Sequence, residues 1–229
     1  MTRSFIITAT DTDAGKTVAA ATLALGLSGR YWKPIQCGRN AAGRTDRDIV
    51  RALTALPEAH FLPETYCFSA ALSPHRAAEF ERQEINPEKI ISDYKTHIVD
   101  GDDECLFIEG AGGLMVPITR ELLQIDLFAS LGAPIILVAR TALGTINHTL
   151  LSLAAIRARG LPLAGLLFTG PENPDNIQTI LDFAVREQIS GVHYLGWLPQ
   201  LPELNPQTIQ TAYHHGIEES MQKFLSKIP

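Results

Sequence analysis

Nine residues near the start of the chain have the types and order of a phosphate-binding loop. The segment Ala9–Thr17 lies between a strand-like stretch and a helical one, and it ends in Gly-Lys-Thr. In such a loop Gly15 lets the backbone approach a polyphosphate, Lys16 carries a positive charge to its outer phosphates, and Thr17 offers a hydroxyl to Mg²⁺. The standard pattern also has a glycine five positions before Gly15, where this chain has Thr10. A chance Gly-Lys-Thr at the start of an ordinary helix is the alternative interpretation.

Charged residues at two further strand ends could complete a site around this loop. Lys33 follows a second short predicted strand, and Glu109 ends a third, directly before the glycine-rich residues 110–113. Ligands of such sheets bind at the carboxyl ends of the strands. We therefore expect both side chains beside the loop, with Glu109 able to reach Mg²⁺ directly or through water. Taken alone, Lys33 also fits a solvated strand end.

Two carboxylates, Asp46 and Asp48, open a helical stretch at 49–56. They could be metal ligands. Carboxylates in a first helical turn are equally common because the helix dipole favours them there. The pattern alone leaves both interpretations open.

A second anion site is predicted at Gly144–His148, before a helix at 149–159. Asn147 is expected to cap this helix, and the free N–H groups of its first turn could bind an anion. A capped helix without a ligand is the alternative. His75 and His148 have no second histidine at metal-ligand spacing, so no transition-metal site is predicted. Cys37 alone is more typical of a small buried residue than of a nucleophile.

Short apolar runs alternate with helical segments along most of the chain. Four runs are apolar at consecutive positions, which is typical of strands covered on both faces and hence of a parallel sheet; they are 5–7, 106–108, 134–139 and 163–168. Asn-Pro pairs at 86–87, 173–174 and 205–206 predict helix starts. The alternation predicts an α/β fold with a doubly wound, mostly parallel sheet and helices on both faces. Because no linker-like stretch interrupts it, we expect one domain over residues 1–229.

Composition limits the classes of function. The net charge is -6, with 45% hydrophobic and 19% charged residues. An acidic chain of this kind argues against nucleic-acid binding, which needs a basic face. No apolar run has the length of a membrane span, and the first residues have no signal-peptide core. Three widely spaced cysteines indicate reduced thiols. We therefore expect a cytoplasmic enzyme.

These motifs together resemble the dethiobiotin synthetase family of ATP-dependent carboxylases, which belongs to the P-loop NTPases. The resemblance covers almost the whole chain. Its most specific parts are Thr-Asp-Thr before the Gly-Lys-Thr, Lys33-Pro34 about sixteen residues later, and Glu-Gly-Ala-Gly-Gly at 109–113. Further matches lie at 73–75, 134–138, 143–148 and 163–165. The family's loop has one extra residue, so the missing glycine at Thr10 is expected.

The resemblance implies a role for each site residue. Thr17, Asp46 and Glu109 would hold Mg²⁺, and Asp46 is preferred to Asp48 because Val50 and Leu53 then match the family's apolar positions. The catalytic residues would be Lys16, Lys33 and Thr12. The substrate would contact Thr12, Lys33, Cys37, Gly144, Thr145 and Asn147. The nucleotide would contact Asp13, Ala14, Gly15, Lys16, Thr17, Val18, Asp46, Glu109, Gly110, Ala111, Gly112, Thr169, Gly170, Pro199, Gln200 and Leu201.

Three positions depart from the family pattern. Ala9 stands where glycine is usual, and Cys37 stands where serine is usual. A thiol is a weaker hydrogen-bond donor than a hydroxyl. Thr169-Gly170 replaces the Asn-Asp pair that reads adenine in some members.

The reaction implied by the resemblance belongs to biotin biosynthesis. It takes 7,8-diaminopelargonic acid, CO₂ or bicarbonate, and ATP with Mg²⁺ through a carbamate and a carbamic-phosphoric anhydride to dethiobiotin, ADP and phosphate. Two anions must meet in this reaction, so the two lysines and Mg²⁺ would neutralise charge. The resemblance also implies a homodimer with the site shared between subunits.

Two other classes carry a similar loop. Amidoligases of the cobyrinate type usually have an additional glutaminase domain, for which 229 residues leave no room. Switch ATPases of the ParA and MinD type place a lysine early in the loop, and Thr10-Asp11-Thr12 has none. ATP turnover with and without the diamine and bicarbonate distinguishes these classes.

Overall fold

The computed structural model describes residues 3–97 and 104–227, so the expected domain limits at residues 1 and 229 lie outside the described residues. Eight strands occur within these ranges. They are β1 (Arg3–Ala9), β2 (Arg30–Trp32), β3 (Ile35–Cys37), β4 (Tyr66–Phe68), β5 (Cys105–Gly113), β6 (Ile135–Arg140), β7 (Leu163–Thr169) and β8 (Tyr194–Leu198).

Nine helices occur in the same described ranges, with a short 3-10 helix at Glu58–His60. They are α1 (Lys16–Gly26), α2 (Asp46–Thr54), α3 (Pro74–Phe80), α4 (Pro87–His97), α5 (Gln124–Leu131), α6 (Thr145–Ala158), α7 (Pro174–Arg186), α8 (Pro206–Gly216) and α9 (Glu218–Leu225). No helix of the described residues has both the length and the apolar character that a membrane crossing requires.

Six strands form one sheet in the order β2-β5-β1-β6-β7-β8, and every neighbouring pair is parallel. Successive side chains of a strand point to opposite faces, so each strand supplies two cores. In β1, Phe5 and Ile7 join the core beneath α1 and α8, whereas Ile6 joins the core beneath α5 and α6. Both cores are almost completely closed to solvent. The predicted doubly wound α/β fold is therefore confirmed.

The apolar runs and the Asn-Pro pairs mark their elements correctly. The four runs lie within or overlap β1, β5, β6 and β7. Helices α4, α7 and α8 each begin at the proline of an Asn-Pro pair. The asparagine side chain accepts a backbone N–H bond at the starts of α7 and α8. These local signals act within a few residues, which explains why they can be read from the sequence.

Two features differ from the sequence-based expectation. Strands β3 and β4 form a separate two-stranded parallel sheet, because Pro34 separates β3 from β2. The helix predicted at 149–159 begins earlier, at Thr145. Gly144 makes the turn before it in the left-handed region, with φ 90°. Asn147 therefore lies inside the first turn, and its prediction as the helix cap is wrong.

Candidate active site

Most of the predicted site residues lie at one edge of the main sheet. Because the six strands are parallel, their carboxyl ends meet there. The loop 10–15 follows β1 and Lys33 follows β2. Glu109 lies in the middle of β5, because this strand continues through the glycine-rich residues to Gly113 and does not end at Glu109 as the sequence predicts. The start of α6 follows β6, and Thr169 ends β7. The fold therefore brings together, at a single edge, side chains that are far apart in the sequence.

The loop between β1 and α1 has the geometry of an anion cradle. Asp13 and Gly15 have positive φ values of 58° and 84°. Residues with positive φ values that alternate with residues of ordinary φ turn successive backbone N–H groups toward one point. Helix α1 begins at Lys16, so its first N–H groups have no partner within the helix and face the same side as its positive dipole end. This arrangement suits a phosphate group.

Side chains at the ends of β6 and β7 hold the loop in place. The Thr169 hydroxyl at the end of β7 donates to the Ala14 carbonyl at 2.9 Å. A Cβ on Gly15 would lie 3.2 Å from the Thr169 side chain, so the loop and β7 are in close contact. At the end of β6, Arg140 forms an ion pair with Asp11 at 3.3 Å.

Lys16 directly follows the loop, and its side chain folds back along it. Its Nζ atom donates to the Asp11 carbonyl at 3.2 Å, and the side chain is buried. Burial lowers the pKa of the Lys16 ammonium despite the attraction of Glu109, and the charge of Lys33 lowers it further. A bound phosphate would place further negative charge beside the Lys16 ammonium, whose positive charge the protein compensates only in part.

Glu109 is the centre of the site. It is buried, and both of its carboxylate oxygens accept hydrogen bonds. Oε1 accepts from the Thr17 hydroxyl at 2.9 Å and from Lys33 Nζ at 3.0 Å. Oε2 accepts from the Tyr31 hydroxyl at 2.8 Å. Burial and the Glu109 charge raise the pKa of Tyr31 well above its usual value, so this hydroxyl stays protonated and donates.

Lys33 lies between two carboxylates. Its ammonium is buried and donates to both Glu109 and Asp46. Burial opposes the charge, but the attraction of Glu109 and Asp46 outweighs it and raises the pKa of Lys33. This lysine is therefore a fixed cation rather than a proton acceptor.

The two acidic residues at the start of α2 have different surroundings. Asp46 faces Lys33, and its backbone N–H donates to Gln36 Oε1 at 3.2 Å. Asp48 instead forms a capping box with Thr45, whose N–H it accepts at 3.0 Å. Hydrogen bonds from Thr45 lower the pKa of Asp48. The Asp48 carboxylate thus stabilises its own helix.

Thr17, Asp46 and Glu109 offer only oxygen atoms, the ligands that Mg²⁺ prefers. Thr17 donates its proton to Glu109, which leaves the hydroxyl lone pairs free for a cation. Within the described ranges, no group of three or more His, Cys, Asp or Glu side chains is arranged to hold a metal ion. One or two carboxylates are nevertheless usual for Mg²⁺, which keeps several waters and binds substrate phosphates. The donor set therefore fits this ion.

The glycine-rich end of β5 packs closely against its neighbours. A Cβ on Gly110 would lie 2.7 Å from the Phe128 ring. The Ala111 N–H donates to Gln124 Oε1 at 2.6 Å, and Gln124 Nε2 donates to the Gly113 carbonyl at 2.8 Å. Gly112 has φ 78°, and a Cβ there would lie 3.9 Å from the Thr12 hydroxyl. The glycine-rich end of β5 and the phosphate loop therefore adjoin each other.

The predicted substrate residues lie on both sides of the phosphate loop. Thr12 is exposed at the loop tip, and Cys37 ends β3, four residues beyond Lys33. Burial raises the pKa of the Cys37 thiol to about 11, even though Lys33 acts in the opposite direction. Gly144 and Asn147 are exposed at the start of α6. Thr145 is buried there, with its hydroxyl 3.4 Å from that of Thr149.

The remaining nucleotide residues follow β7 and β8. Thr169 uses its hydroxyl to hold the loop, and the Gly170 N–H donates to Leu198 at 3.0 Å. Pro199 and Leu201 line a cavity of about 330 Å³ between β8 and α8. Gln200 is exposed. Of these residues Thr169 contacts the loop, and the others follow β7 and β8, toward the opposite edge of the sheet from β2 and Lys33.

Sequence reasoning missed three residues that organise the site. The Tyr31 hydroxyl donates a hydrogen bond to Glu109, and Arg140 forms an ion pair with Asp11. The Gln124 side chain makes hydrogen bonds to the backbone of the glycine-rich segment. Tyr31 had a usable signal: it lies on the short strand that Lys33 follows, two positions before Lys33, and side chains two positions apart in extended chain point to the same side. Arg140 and Gln124 act on segments distant in the sequence and carry no such local signal.

The fold and this loop define a nucleotide-binding protein of the P-loop class. The family model described as "AAA domain" matches residues 3–208. Solved structures agree in fold at low sequence identity. The MinC:MinD cell division complex of Aquifex aeolicus has a TM-score of 0.58 and 14% identity, over 99% of this chain and 97% of that one. A putative plasmid partition protein of Borrelia burgdorferi, bound to AMPPNP, has a TM-score of 0.57 and 13% identity, over 100% of both chains.

Curated relatives identify the particular family. The ATP-dependent dethiobiotin synthetase of Rhodopseudomonas palustris strain HaA2 is 45% identical over 93% of both chains. The same enzyme of Agrobacterium fabrum is 44% identical over 93% of both chains, and that of R. palustris strain TIE-1 is 42% identical over 100% of both. The chain belongs to the family of ATP-dependent dethiobiotin synthetases. It is thus an ATP-dependent ligase, and the family that the sequence motifs resemble is confirmed.

Proposed function

We propose that this edge of the sheet closes the ureido ring of dethiobiotin from 7,8-diaminopelargonic acid, CO₂ and ATP. The observation that carries the proposal is the second buried lysine. Lys33 contacts Glu109, which also binds Thr17 of the phosphate loop. A cation at this point can neutralise an anion other than the nucleotide, as a reaction between a carbamate and ATP requires.

The chemistry proceeds in three steps. One amine of the substrate adds to CO₂ and loses a proton, giving a carbamate. A carbamate oxygen then attacks the γ-phosphorus of ATP, and ADP leaves with the electrons of the broken P–O bond. The second amine attacks the carbonyl carbon of the mixed anhydride and loses a proton to solvent, and phosphate leaves with the electrons of the broken C–O bond as the ring closes.

The residues act mainly by positioning and by charge. The N–H groups of the loop and Lys16 orient the triphosphate, while Lys33 remains protonated and faces the carbamate. Thr17, Asp46 and Glu109 would hold Mg²⁺, which supplies positive charge to the phosphate oxygens when bound. Thr12 at the loop tip and Cys37 near Lys33 border the space for the diamine. Because the pKa of Cys37 is raised to about 11, its thiol is a weak donor and not a thiolate nucleophile.

The apolar cavity beside Pro199 and Leu201 would receive the nucleotide base. Its wall includes Trp197 and Ala212, whose surfaces suit a flat aromatic ring. Thr169 and Gly170 lie nearby, but their hydrogen bonds are directed to the loop and to β8. We expect them to hold the base region in shape rather than to read the base.

The exposed face of α6 supports a homodimer. Residues 145–156 contain no Asp, Glu, Lys or Arg. Leu143, just before the helix, is fully exposed, and Leu151 is mostly exposed one turn beyond Asn147. An uncharged helix with exposed leucines is typical of a subunit interface. In such a dimer, the N-terminus of α6 would bind the substrate carboxylate at the partner subunit's phosphate loop.

We place the enzyme in the cytoplasm. Its cysteines, Cys37, Cys67 and Cys105, are all free thiols, which suits a reducing compartment. The reaction also consumes ATP, which the cytoplasm supplies.

Mass spectrometry of the product tests the proposed function. The purified chain is incubated with 7,8-diaminopelargonic acid, ¹³C-bicarbonate and MgATP, and we expect labelled dethiobiotin in amounts equal to the ADP released. Lys33→Ala should form little product. Lys89→Ala, which removes a surface lysine resting on Tyr66, is the matched control and should behave as the wild type. ATP hydrolysis that is independent of the diamine and gives no labelled product would instead indicate a switch ATPase.

A further inference from the structure

Tyr31 is a buried polar residue that the reaction described above does not use. It lies in the middle of β2, opposite Phe107 of β5, and its side chain is completely buried. Its ring belongs to the core formed with Val50, Leu53 and Phe61. Its hydroxyl nevertheless reaches out of this core to the Glu109 carboxylate at 2.8 Å.

The two carboxylate oxygens of Glu109 accept hydrogen bonds from different sides. Oε1 faces Thr17 and Lys33, the side on which the phosphates and a cation would lie. Oε2 faces the core and accepts the Tyr31 bond. A carboxylate bonded on one side only could rotate, whereas a donor on each oxygen defines its plane. The aromatic ring of Tyr31 cannot follow such a rotation because the surrounding core is closed.

We propose that Tyr31 is a positioning residue that orients Glu109 for Mg²⁺ binding. This inference rests on the proposed function only in that Glu109 contributes to the Mg²⁺ site. Partners behind a ligating carboxylate commonly set the affinity for the metal, and their loss costs about 10- to 100-fold. Tyr31 lies in β2 and Lys33 directly follows this strand, so one short stretch of chain contacts both oxygens of Glu109.

The test compares Tyr31→Phe with the wild type in a binding experiment that requires no catalysis. Fluorescent methylanthraniloyl-ADP is bound to each protein while Mg²⁺ is titrated. We expect the Mg²⁺ concentration at half-saturation to rise about 10-fold in Tyr31→Phe. Nucleotide binding in EDTA should be the same in both proteins. An unchanged Mg²⁺ half-point, or an equal loss of binding in EDTA, overturns the proposal.

A second buried tyrosine provides the matched control. Tyr213 of α8 is almost completely buried in the same core and lies against Gly26, at the opposite end of α1 from the phosphate loop. Tyr213→Phe should leave the Mg²⁺ half-point unchanged. Melting temperatures with ADP, with and without Mg²⁺, give a second measurement: the increase due to Mg²⁺ should be smaller in Tyr31→Phe than in the control. An equal increase in both variants contradicts the proposal.

A double-mutant cycle separates an effect through Glu109 from a general loosening of the site. If Tyr31 acts through this carboxylate, Tyr31→Phe should raise the Mg²⁺ half-point much less in a Glu109→Gln background. Fully additive effects would show that Tyr31 acts by another route. In turnover, the KM for Mg²⁺ should rise while kcat is largely recovered at saturating Mg²⁺. Failure of the proposed carboxylation would leave the binding results intact, so the two proposals are tested separately.

Discussion

Lys33 keeps its charge because two carboxylates outweigh the cost of burying it. A buried ammonium without partners would lose its proton readily. Glu109 and Asp46 reverse this effect and raise the pKa of Lys33 above its ordinary value. The residue therefore stays cationic across the working pH range and can stabilise an anion that forms beside it. It cannot accept the proton of the substrate amine.

Removing this charge should affect the reaction strongly. We expect Lys33→Ala and Lys16→Ala each to lower kcat/KM by on the order of 10²-fold or more, because each removes a cation from the phosphoryl-transfer site. Lys33→Ala also leaves Glu109 and Asp46 without their shared cation, so its folding is to be checked by thermal melting. Steady-state kinetics on the folded fraction makes the comparison. A kcat/KM near that of the wild type in Lys33→Ala would remove this residue from the mechanism.

Asp46 and Asp48 give a pair of variants with opposite expectations. Asp46→Asn should raise the Mg²⁺ concentration needed for half-maximal activity by about 10-fold, since its carboxylate faces the site. Asp48→Asn should keep the normal Mg²⁺ requirement but melt at a lower temperature, because it weakens the capping box with Thr45 by about 1 kcal/mol. Magnesium titration and thermal melting of both variants check this prediction. A defect in Mg²⁺ use confined to Asp48→Asn would show that the other carboxylate is the ligand.

At the scale of elements, the phosphate loop depends on strands other than its own. Asp11 is bonded by Arg140 of β6, and Ala14 is bonded by Thr169 of β7. The positive φ values of Asp13 and Gly15 favour few residue types, so such a loop benefits from external contacts. The Thr169 bond is the more buried of the two.

Loss of the Thr169 bond should weaken nucleotide binding selectively. Thr169→Val keeps the shape of the side chain but leaves the Ala14 carbonyl without this donor. A hydrogen bond of this kind contributes about 1 kcal/mol, so we expect the KM for ATP to rise several-fold. The KM for the diamine should change little. Steady-state kinetics with each substrate varied in turn measures both, and an equal rise of the two values would contradict a role limited to the loop.

The sequence predicts those elements whose signals are local. The apolar runs of β1, β5, β6 and β7 and the Asn-Pro starts of α7 and α8 depend on neighbouring residues alone. The β3–β4 sheet could not be predicted in this way, because its pairing joins Ile35 to Tyr66 across a long stretch of chain. The start of α6 differs from the prediction because the left-handed turn at Gly144 begins the helix, whereas the sequence suggested an asparagine cap.

The site was predictable where a motif fixes the chemistry and where strand ends must converge. Lys16, Thr17, Lys33 and Glu109 could be placed together because parallel strands share a carboxyl edge. The residue pattern alone could not separate Asp46 from Asp48, since both lie in one helical turn. The family resemblance favoured Asp46, and in the structure Asp46 faces Lys33 whereas Asp48 caps its own helix. Tyr31 was missed because a tyrosine on a buried strand usually serves packing alone.

At the scale of the whole molecule, the fold leaves the function open. MinD and the plasmid partition protein have the same overall fold at 13–14% identity. The sheet explains why phosphate binding occurs at its carboxyl edge, but a fold alone does not determine the chemistry. The family relationship distinguishes this chain from those neighbours.

A site shared between subunits would place the N-terminus of α6 of one chain beside the phosphate loop of its partner. Asn147 is exposed in the first turn of α6, so Asn147→Glu can place a negative charge there without disturbing the core. It should raise the KM for the diamine by repelling the substrate carboxylate, while the KM for ATP stays unchanged. Asn147→Gln, which has the same size and no charge, is the matched control and should resemble the wild type.

Mixing Asn147→Glu with Lys16→Ala makes this prediction specific to a dimer. In a shared site, each mixed dimer combines one unaltered loop with the unaltered helix of its partner, which gives one intact site of two. Random exchange makes half of the dimers mixed, so about a quarter of the wild-type site count should return from two weakly active parents. Activity at low diamine concentration is measured after exchange has been verified with differently tagged subunits. If exchange occurs and no activity returns, the loop and the helix of one chain serve the same site, and the dimer has another purpose.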